Sequence, residues 1–335
     1  MAYQPKRAAA QLTDPATPIP QAEEEIQETT RRMRLLVVAR PKTGKTSSLV
    51  SLVNEGGFRL ILCDFDGNAD PLYNLIDEDK RHLLHVIPFE DNFGPPSMAE
   101  GGSIGIKLKG DPKAFSKFLH FLDGKPTRDS QKRMTDFGPA ASWGPDTVLV
   151  VDSLTALGRA CFRRYITAIG RNEQTKRIKD WGVAAGEAES ALEMLTSSYY
   201  RCHVIVMAHV KMIGPKPLEE DDSKRQDKVD YNNELKKEEA ELVPVRLYPI
   251  AIGRSLCEHL AEHFPGVVRA EVTNDGKRIF NLRPCPEMDT GLPASPKWLA
   301  ANKTLPIEDG LMSMMTAVTG LTSAPVLKGS DDETA

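Results

Sequence analysis

Residues 34–53, RLLVVARPKTGKTSSLVSLV, constrain this chain more than any other stretch. An apolar run, Leu35 to Val38, breaks into Ala39-Arg40-Pro41-Lys42-Thr43-Gly44-Lys45-Thr46-Ser47, and a helical spacing of Leu49, Val50, Leu52 and Val53 follows. Strand, tight loop and helix in that order let loop N–H groups and a helix N-terminus surround a polyphosphate. In such a loop Lys45 reaches the β- and γ-phosphates and the Thr46 hydroxyl ligates Mg²⁺. Ala39 stands where the pattern has its first glycine, and a methyl group is the smallest intrusion a side chain can make there.

The rest of the chain reads as a soluble α/β protein. Its 335 residues are 40% hydrophobic and 27% charged, enough to bury a full core as one large domain with extensions or as two small ones. No apolar run approaches the length of a membrane span, and the opening MAYQPKRAAAQLTDPATPIP lacks the apolar segment of a secretory signal. Five scattered cysteines without a CxxC pair point to free thiols in a reducing cytoplasm and to no zinc knuckle. A net charge of −4 argues against a generally basic nucleic-acid coat and leaves room for a local basic groove.

Taken in order, residues 1–30 form a proline-bearing tail, with a short polar helix over 23–32. The run Phe58–Cys63 is a buried strand ending in CDFDGNADPLYNL. If that strand lies beside the loop strand, Asp64 and Asp66 point into a ligand crevice; the alternative for Asp64 is a cap on the following turn. A strand over 83–88 precedes an insertion of about 90–146, expected to be mobile or to contact a partner. Within it, Phe115, Phe118, Leu119 and Leu122 have the spacing of a packed helix. TVLVVDSLTAL, 147–157, is a second buried strand, and its Asp152 has the position of a carboxylate holding Mg²⁺ through water. Residues 158–180 carry seven Lys and Arg with Phe162 and Tyr165 between them, which suits single-stranded nucleic acid or, equally, a solvated helix face. A helix over 184–200 leads to a strand, 203–208, that ends at His209, and the charged stretch 211–242 reads as a long loop. A helix over 252–264 and a hairpin turning at Asn274-Asp275-Gly276 complete the core, and 284–335 reads as a partly disordered extension. His259-Leu260-Ala261-Glu262-His263 matches a zinc-peptidase pattern, against which stands an ordinary surface helix.

Neighbouring motifs narrow the loop's family. Ser153 follows Asp152 where AAA+, helicase and terminase-like ATPases usually place a catalytic glutamate, and no guanine-reading NKxD is present. Asp64-Phe65-Asp66-Gly67-Asn68-Ala69-Asp70-Pro71-Leu72-Tyr73, Val150-Val151-Asp152-Ser153-Leu154-Thr155-Ala156-Leu157 and Met207-Ala208-His209-Val210-Lys211-Met212-Ile213-Gly214 together resemble the RecA-like recombinase core over about 35–283. They look most similar to the phage-encoded RecA-like ATPases that assist single-strand annealing.

The resemblance implies a RecA-like P-loop NTPase fold: a mostly parallel sheet flanked by helices, over 31–283, with a C-terminal β-hairpin. It implies that Asp66 polarises the attacking water in place of a glutamate, that His209 senses the γ-phosphate in place of a glutamine, and that Asp70 and Tyr73 contact adenine. The implied cofactors are ATP and Mg²⁺. The implied partners are single-stranded DNA, bound by loops at 158–179 and 210–245, other copies in a ring or filament with ATP between subunits, and a single-strand-binding protein. Arg283 is the candidate basic residue supplied in trans. A nucleotide-gated scaffold with slow hydrolysis and a DNA-translocating motor remain the alternatives.

Overall fold

Strands that are apolar on both faces decide the architecture, because such strands must be covered by helices on each side. The computed structural model describes residues 31–94, 97–98, 104–105, 108–171, 177–213, 246–251, 254–284, 288 and 290–325. Residues 1–30, 214–245 and 326–335 lie outside them, and with them the expected tail and most of the expected charged loop.

Among the described residues one large sheet dominates. Its strands are β1 (Arg34–Ala39), β2 (Arg59–Asp64), β3 (Leu84–Pro88), β4 (Thr147–Asp152), β5 (His203–Ile213), β6 (Arg246–Pro249), β7 (Gly266–Val272), β8 (Arg278–Asn281) and β9 (Thr304–Pro306). In space the order is β9-β8-β7-β1-β5-β4-β2-β3, with β6 paired to the far end of β5. From β7 to β3 every pairing is parallel, and β8 and β9 add two antiparallel strands at the edge. The resemblance implied this α/β architecture, a RecA-like core with a C-terminal hairpin. One neighbour relation differs from expectation: β5 and β4 separate β2 from β1, so the strand of Asp64 does not lie beside the loop strand.

Alternation along the strands sends side chains to two cores. Leu36 and Val38 join one core, with Cys63, Val151 and Val206, under α2 (Ala114–Leu122), α3 (Leu154–Ala168) and α4 (Ile178–Thr196). Leu35, Val37 and Ala39 join the other, with Leu62, Val150 and Met207, under α1 (Val50–Asn54) and the last helix of the described chain, Gly310–Thr319.

Two boundaries move. The expected extension after 283 is part of the fold: β9 extends the sheet, and Leu311, Met314 and Met315 are fully buried beside Leu49 and Leu52. Its apolar positions were too sparse to show this before the sheet edge they cover was known. The 90–146 insertion is likewise anchored, since Phe118, Phe121 and Trp143 are buried in the first core and the Trp143 indole donates to the Phe137 carbonyl at 2.9 Å. The helices expected over 184–200 and 252–264 run instead over Ile178–Thr196 and, for the latter, as Arg254–His259 followed by a 3-10 turn, Leu260–His263.

At the amino end of the sheet His203 is fully buried. Its Nδ1 accepts from the Met33 N–H at 3.0 Å and its Nε2 donates to the Pro145 carbonyl at 2.9 Å, tying the starts of β1, β4 and β5 together. Burial pushes its pKa down to about 4. The unfolded chain therefore binds a proton that the fold excludes, so this contribution is complete above the ordinary value of 6.5 and is lost as pH falls toward 4. Between pH 7 and pH 5 the expected loss is about 2 kcal/mol. Urea unfolding at the two pH values should show a clearly smaller decline for His203→Gln than for the wild type; equal declines would show that His203 is not the titrating group.

Candidate functional site

The segment between β1 and α1 folds back on itself because two residues adopt left-handed backbone conformations, Lys42 at φ 65° and Gly44 at φ 93°. Such alternation turns successive N–H groups toward a common concavity. The φ at Gly44 disfavours any side chain, and a Cβ there would press on Ser47 Oγ at 3.2 Å and Arg278 Cδ at 3.3 Å and touch Ile307 Cδ1 at 3.5 Å. Hydroxyls brace the loop from within: Thr43 Oγ1 donates to the Arg40 carbonyl at 3.0 Å, Ser47 Oγ to Gly44 at 2.9 Å and Ser48 Oγ to Lys45 at 2.6 Å. Ala39 is fully buried in the second core, which absorbs its methyl group.

Lys45 is buried and lies over its own loop, with Nζ 3.5 Å from the Ala39 carbonyl, 3.4 Å from that of Arg40 and 3.4 Å from His209 Nδ1. Burial lowers its pKa, and the nearby charges of Asp152 and Asp66 oppose that. Thr46 Oγ1 donates to Asp152 Oδ2 at 2.6 Å, linking the loop to the end of β4. The peptide after Asp152 is cis, and Ser153 caps α3 by accepting from the Ala156 N–H. Burial raises the pKa of Asp152, while the Thr46 hydroxyl works to lower it.

Asp66 faces this cluster across the crevice, its Oδ2 3.6 Å from His209 Nε2. Burial alone would raise its pKa; bonds from His209 and Ser153, with the His209 and Lys45 charges, outweigh that and hold it below the ordinary value. Lys45, Thr46, Asp66, Asp152 and His209 thus meet at the carboxyl end of the parallel sheet. A carboxylate and a hydroxyl at 2.6 Å are hard oxygen donors of the kind Mg²⁺ takes, with substrate phosphates completing the shell. Among the described residues no group of three or more His, Cys, Asp or Glu could hold a metal ion.

Other expected residues are placed elsewhere. Asp64 serves the turn: Oδ1 accepts from the N–H groups of Asp66 at 3.1 Å and Gly67 at 2.8 Å, and Oδ2 from that of Ala69 at 3.0 Å. Burial pushes its pKa up to about 6 despite those bonds. Asp70 is exposed at the start of a 3-10 turn, and the Tyr73 hydroxyl accepts from the Val86 N–H at 3.4 Å and bonds Arg133. Arg283 is exposed beyond β8, toward the end of the sheet away from the loop. His259 pairs with Glu262 at 2.9 Å and His263 with Glu189 at 3.4 Å, on either side of the point where the helix ends.

The expected loop at 158–179 is mostly helix, with residues 172–176 outside the described set. Three of its cations are engaged within the chain: Arg163 with Asp91 at 3.7 Å and over the Phe93 ring, Arg164 with Glu187 at 2.8 Å, Arg171 with Asp180 at 2.6 Å. Phe162 stacks on Trp181 with centroids 3.8 Å apart and is buried, and Tyr165 packs on the core. The physical reason is that α3 packs between α2 and α4, where Asp91 and Phe93 ahead of α2, and Glu187 and Trp181 of α4, take up its positions.

Thr155 is a residue that sequence reasoning passed over. Its hydroxyl accepts from the His209 N–H at 3.4 Å and donates to the Ile250 carbonyl at 2.8 Å, while the Ile250 N–H donates to the His209 carbonyl at 2.6 Å. The start of α3, His209 and the return of the chain after the 214–245 loop are therefore joined. Arg278 and Ile307, against Gly44, were also missed; only the hairpin register brings them to the loop.

The profile of a family described as "AAA domain" matches residues 31–292. No curated protein matches the chain. Among solved structures, that of the RadB recombinase is similar at 13% identity, covering 78% of this chain and 86% of that one with a TM-score of 0.32.

The two aspartates of the turn should separate by substitution. Asp64→Ala leaves three N–H groups without their acceptor and is expected to cost about 2–3 kcal/mol in urea unfolding, against under about 1 kcal/mol for Asp66→Ala. A larger loss for Asp66→Ala would reverse the roles.

Proposed function

The chain belongs to the AAA-domain family, and from that premise we propose that it is a RecA-like ATPase that binds ATP with Mg²⁺ and hydrolyses it. The observation that carries this reading is the convergence of Lys45, Thr46, Asp66, Asp152 and His209 at the carboxyl end of the sheet, with contacts of 2.6 Å, 3.4 Å and 3.6 Å linking them. That is the crevice in which open α/β sheets hold ligands.

In this reading the loop N–H groups from Arg40 to Ser47 hold the phosphates. Lys45 exchanges its carbonyl contacts for the β- and γ-phosphates and balances charge as the terminal phosphoryl leaves. Thr46 and Asp152 hold Mg²⁺, which when bound neutralises developing charge on the phosphates. Asp66, kept ionised by its neighbours, orients the attacking water and accepts its proton. His209 bonds the γ-phosphate through one ring nitrogen and Asp66 through the other, so loss of the phosphate frees it. Because Thr155 ties the His209 backbone to Ile250, the change reaches both ends of the 214–245 loop.

The finer reading is that this ATPase self-associates, as a ring or filament with ATP between subunits and Arg283 acting in trans, and binds single-stranded DNA for phage-type recombination or annealing, in the cytoplasm of a bacterial host. The 210–245 segment is then the principal DNA loop, since Arg163 and Arg164 of α3 are engaged within the chain, and a single-strand-binding protein is a natural partner. Among the described residues no helix is long and apolar enough to cross a membrane.

The Asp66–His209 contact also favours a second reading, a nucleotide-gated scaffold in which that pair keeps hydrolysis slow. Turnover of Mg·ATP with and without oligo-dT decides between them. The ATPase reading expects turnover stimulated by the oligonucleotide and a loss of at least about 100-fold in kcat for Lys45→Ala. Tight ATP binding without turnover would favour the scaffold. Turnover indifferent to DNA, with no DNA bound, would overturn the recombination reading and leave the ATPase.

A further inference from the structure

We infer that a cavity of about 300 Å³ beside Asp66, between α3 and the chain that follows β3, takes one nucleobase. For the strand that brings the base the inference rests on the proposed DNA reading; the pocket itself is separate from the phosphate loop.

The cavity exists because the helices around it carry small residues. Ala156 and Ala160 stand one turn apart on α3, and Ala114 opens α2, so none of them fills the space in front of the rings that follow β2 and β3. Those rings, Phe65 and Phe89, are buried and stacked with centroids 5.2 Å apart, and they give the cavity an apolar floor. Phe93 stands at the wall, its backbone bridged to Leu108. Its ring is 49% exposed, and the Arg163 guanidinium lies 4.9 Å over it. Such a ring has area left for a further flat group.

Polar groups surround this apolar surface. Asp91 Oδ1 accepts from the N–H groups of Lys113 at 2.9 Å and Ala114 at 3.0 Å, at the start of α2. Its Oδ2 is buried and receives no hydrogen bond among the described residues; the Arg163 guanidinium stands 3.7 Å away. Glu90 and Arg159 are exposed at the cavity, and Arg159 makes no ion pair among the described residues. Donors from two arginines and acceptors from Glu90 and Asp91 therefore ring the aromatic faces.

That chemistry selects the occupant. With Asp66, three carboxylates face two guanidinium groups, so a bare phosphate meets no excess of positive charge. The volume stands at the lower end for small-molecule sites and holds one flat ring system. A nucleobase is apolar on its faces and carries donors and acceptors at its edge, which matches the lining. Glu90 and Asp91 Oδ2 can accept from an exocyclic amine, which cytosine and adenine have and thymine lacks. Arg159, on the exposed side, suits the flanking phosphate. Because Asp66 borders the same cavity, a seated base touches the residue that orients the attacking water.

Fluorescence anisotropy of the full chain with oligo-dC, oligo-dT and an abasic strand of equal length tests this, beside saturation-transfer NMR with deoxycytidine monophosphate. Oligo-dC should bind about tenfold tighter than the abasic strand, the worth of one stacked base, and Phe93→Ala or Arg159→Ala should remove most of that gain. Glu90→Ala should bring oligo-dC and oligo-dT within about twofold of each other. Turnover of Mg·ATP without DNA should stay near the wild-type rate in all three variants, while its stimulation by oligo-dC falls. Arg159→Ala, at an exposed position, covers the case in which Phe93→Ala disturbs the fold. An abasic strand bound as tightly as oligo-dC would overturn the inference and leave the DNA reading standing; so would variants that keep the full oligo-dC affinity. If no strand binds but the monophosphate does, and Phe93→Ala abolishes it, the pocket stands as a site for free nucleotides and the DNA reading fails. A wild type that binds neither overturns both.

Discussion

The register of β5 is the constraint on which the site depends. This strand lies between β1 and β4, pairing His209 with Ala39 on one side and Met207 with Asp152 on the other. One strand therefore sets the height of the loop, of the Asp152 carboxylate and of His209 together. A slip of one residue would put Ala208 or Val210 at the height of His209 and turn His209 to the opposite face of the sheet, because side chains alternate strictly along a strand. Val204 and Val206, buried in one core, and Ile205 and Met207, buried in the other, hold the register by packing on both faces.

Around that frame the charges are partly dehydrated and compensate one another. Burial lowers the pKa of Lys45 and raises that of Asp152, while Asp66 is held ionised by His209, Ser153 and Lys45. Such a cluster is costly to assemble unless its members pair, which is why the Lys45 Nζ lies over loop carbonyls and Thr46 bonds Asp152. Those same contacts are the ones a phosphate and its metal ion would replace. The charges at the site thus neutralise one another in the chain alone and are poised to exchange partners.

Much of this was legible in residue order. The loop, both acidic strand ends and His209 were found from apolar runs that stop at a polar residue, and the hairpin from Asn274-Asp275-Gly276, whose glycine takes a φ of 81°. What composition left open was helix α3. Its arginines and aromatics resemble a nucleic-acid surface in sequence, yet Asp91 and Glu187 pair with Arg163 and Arg164, and Trp181 stacks on Phe162. The region after 283 was misjudged for the mirrored reason: its apolar residues are few, but the edge strand β8 gives them something to cover.

By itself, then, the sequence determined that a phosphate loop stands between a buried strand and a helix, that a further strand ends in Asp152, and that an apolar run stops at His209, although β5 itself continues to Ile213. Those are local properties, set by side-chain period and by the turn preferences of glycine. Only the tertiary structure decided which aspartate of the pair after β2 faces the loop. Asp64 turns back to three N–H groups of its own turn, and Asp66 reaches His209. It also decided that Arg278 and Ile307 border Gly44. The Asp66–His209 contact and the neighbours of Gly44 depend on strand order and register between segments more than a hundred residues apart, which no local pattern encodes.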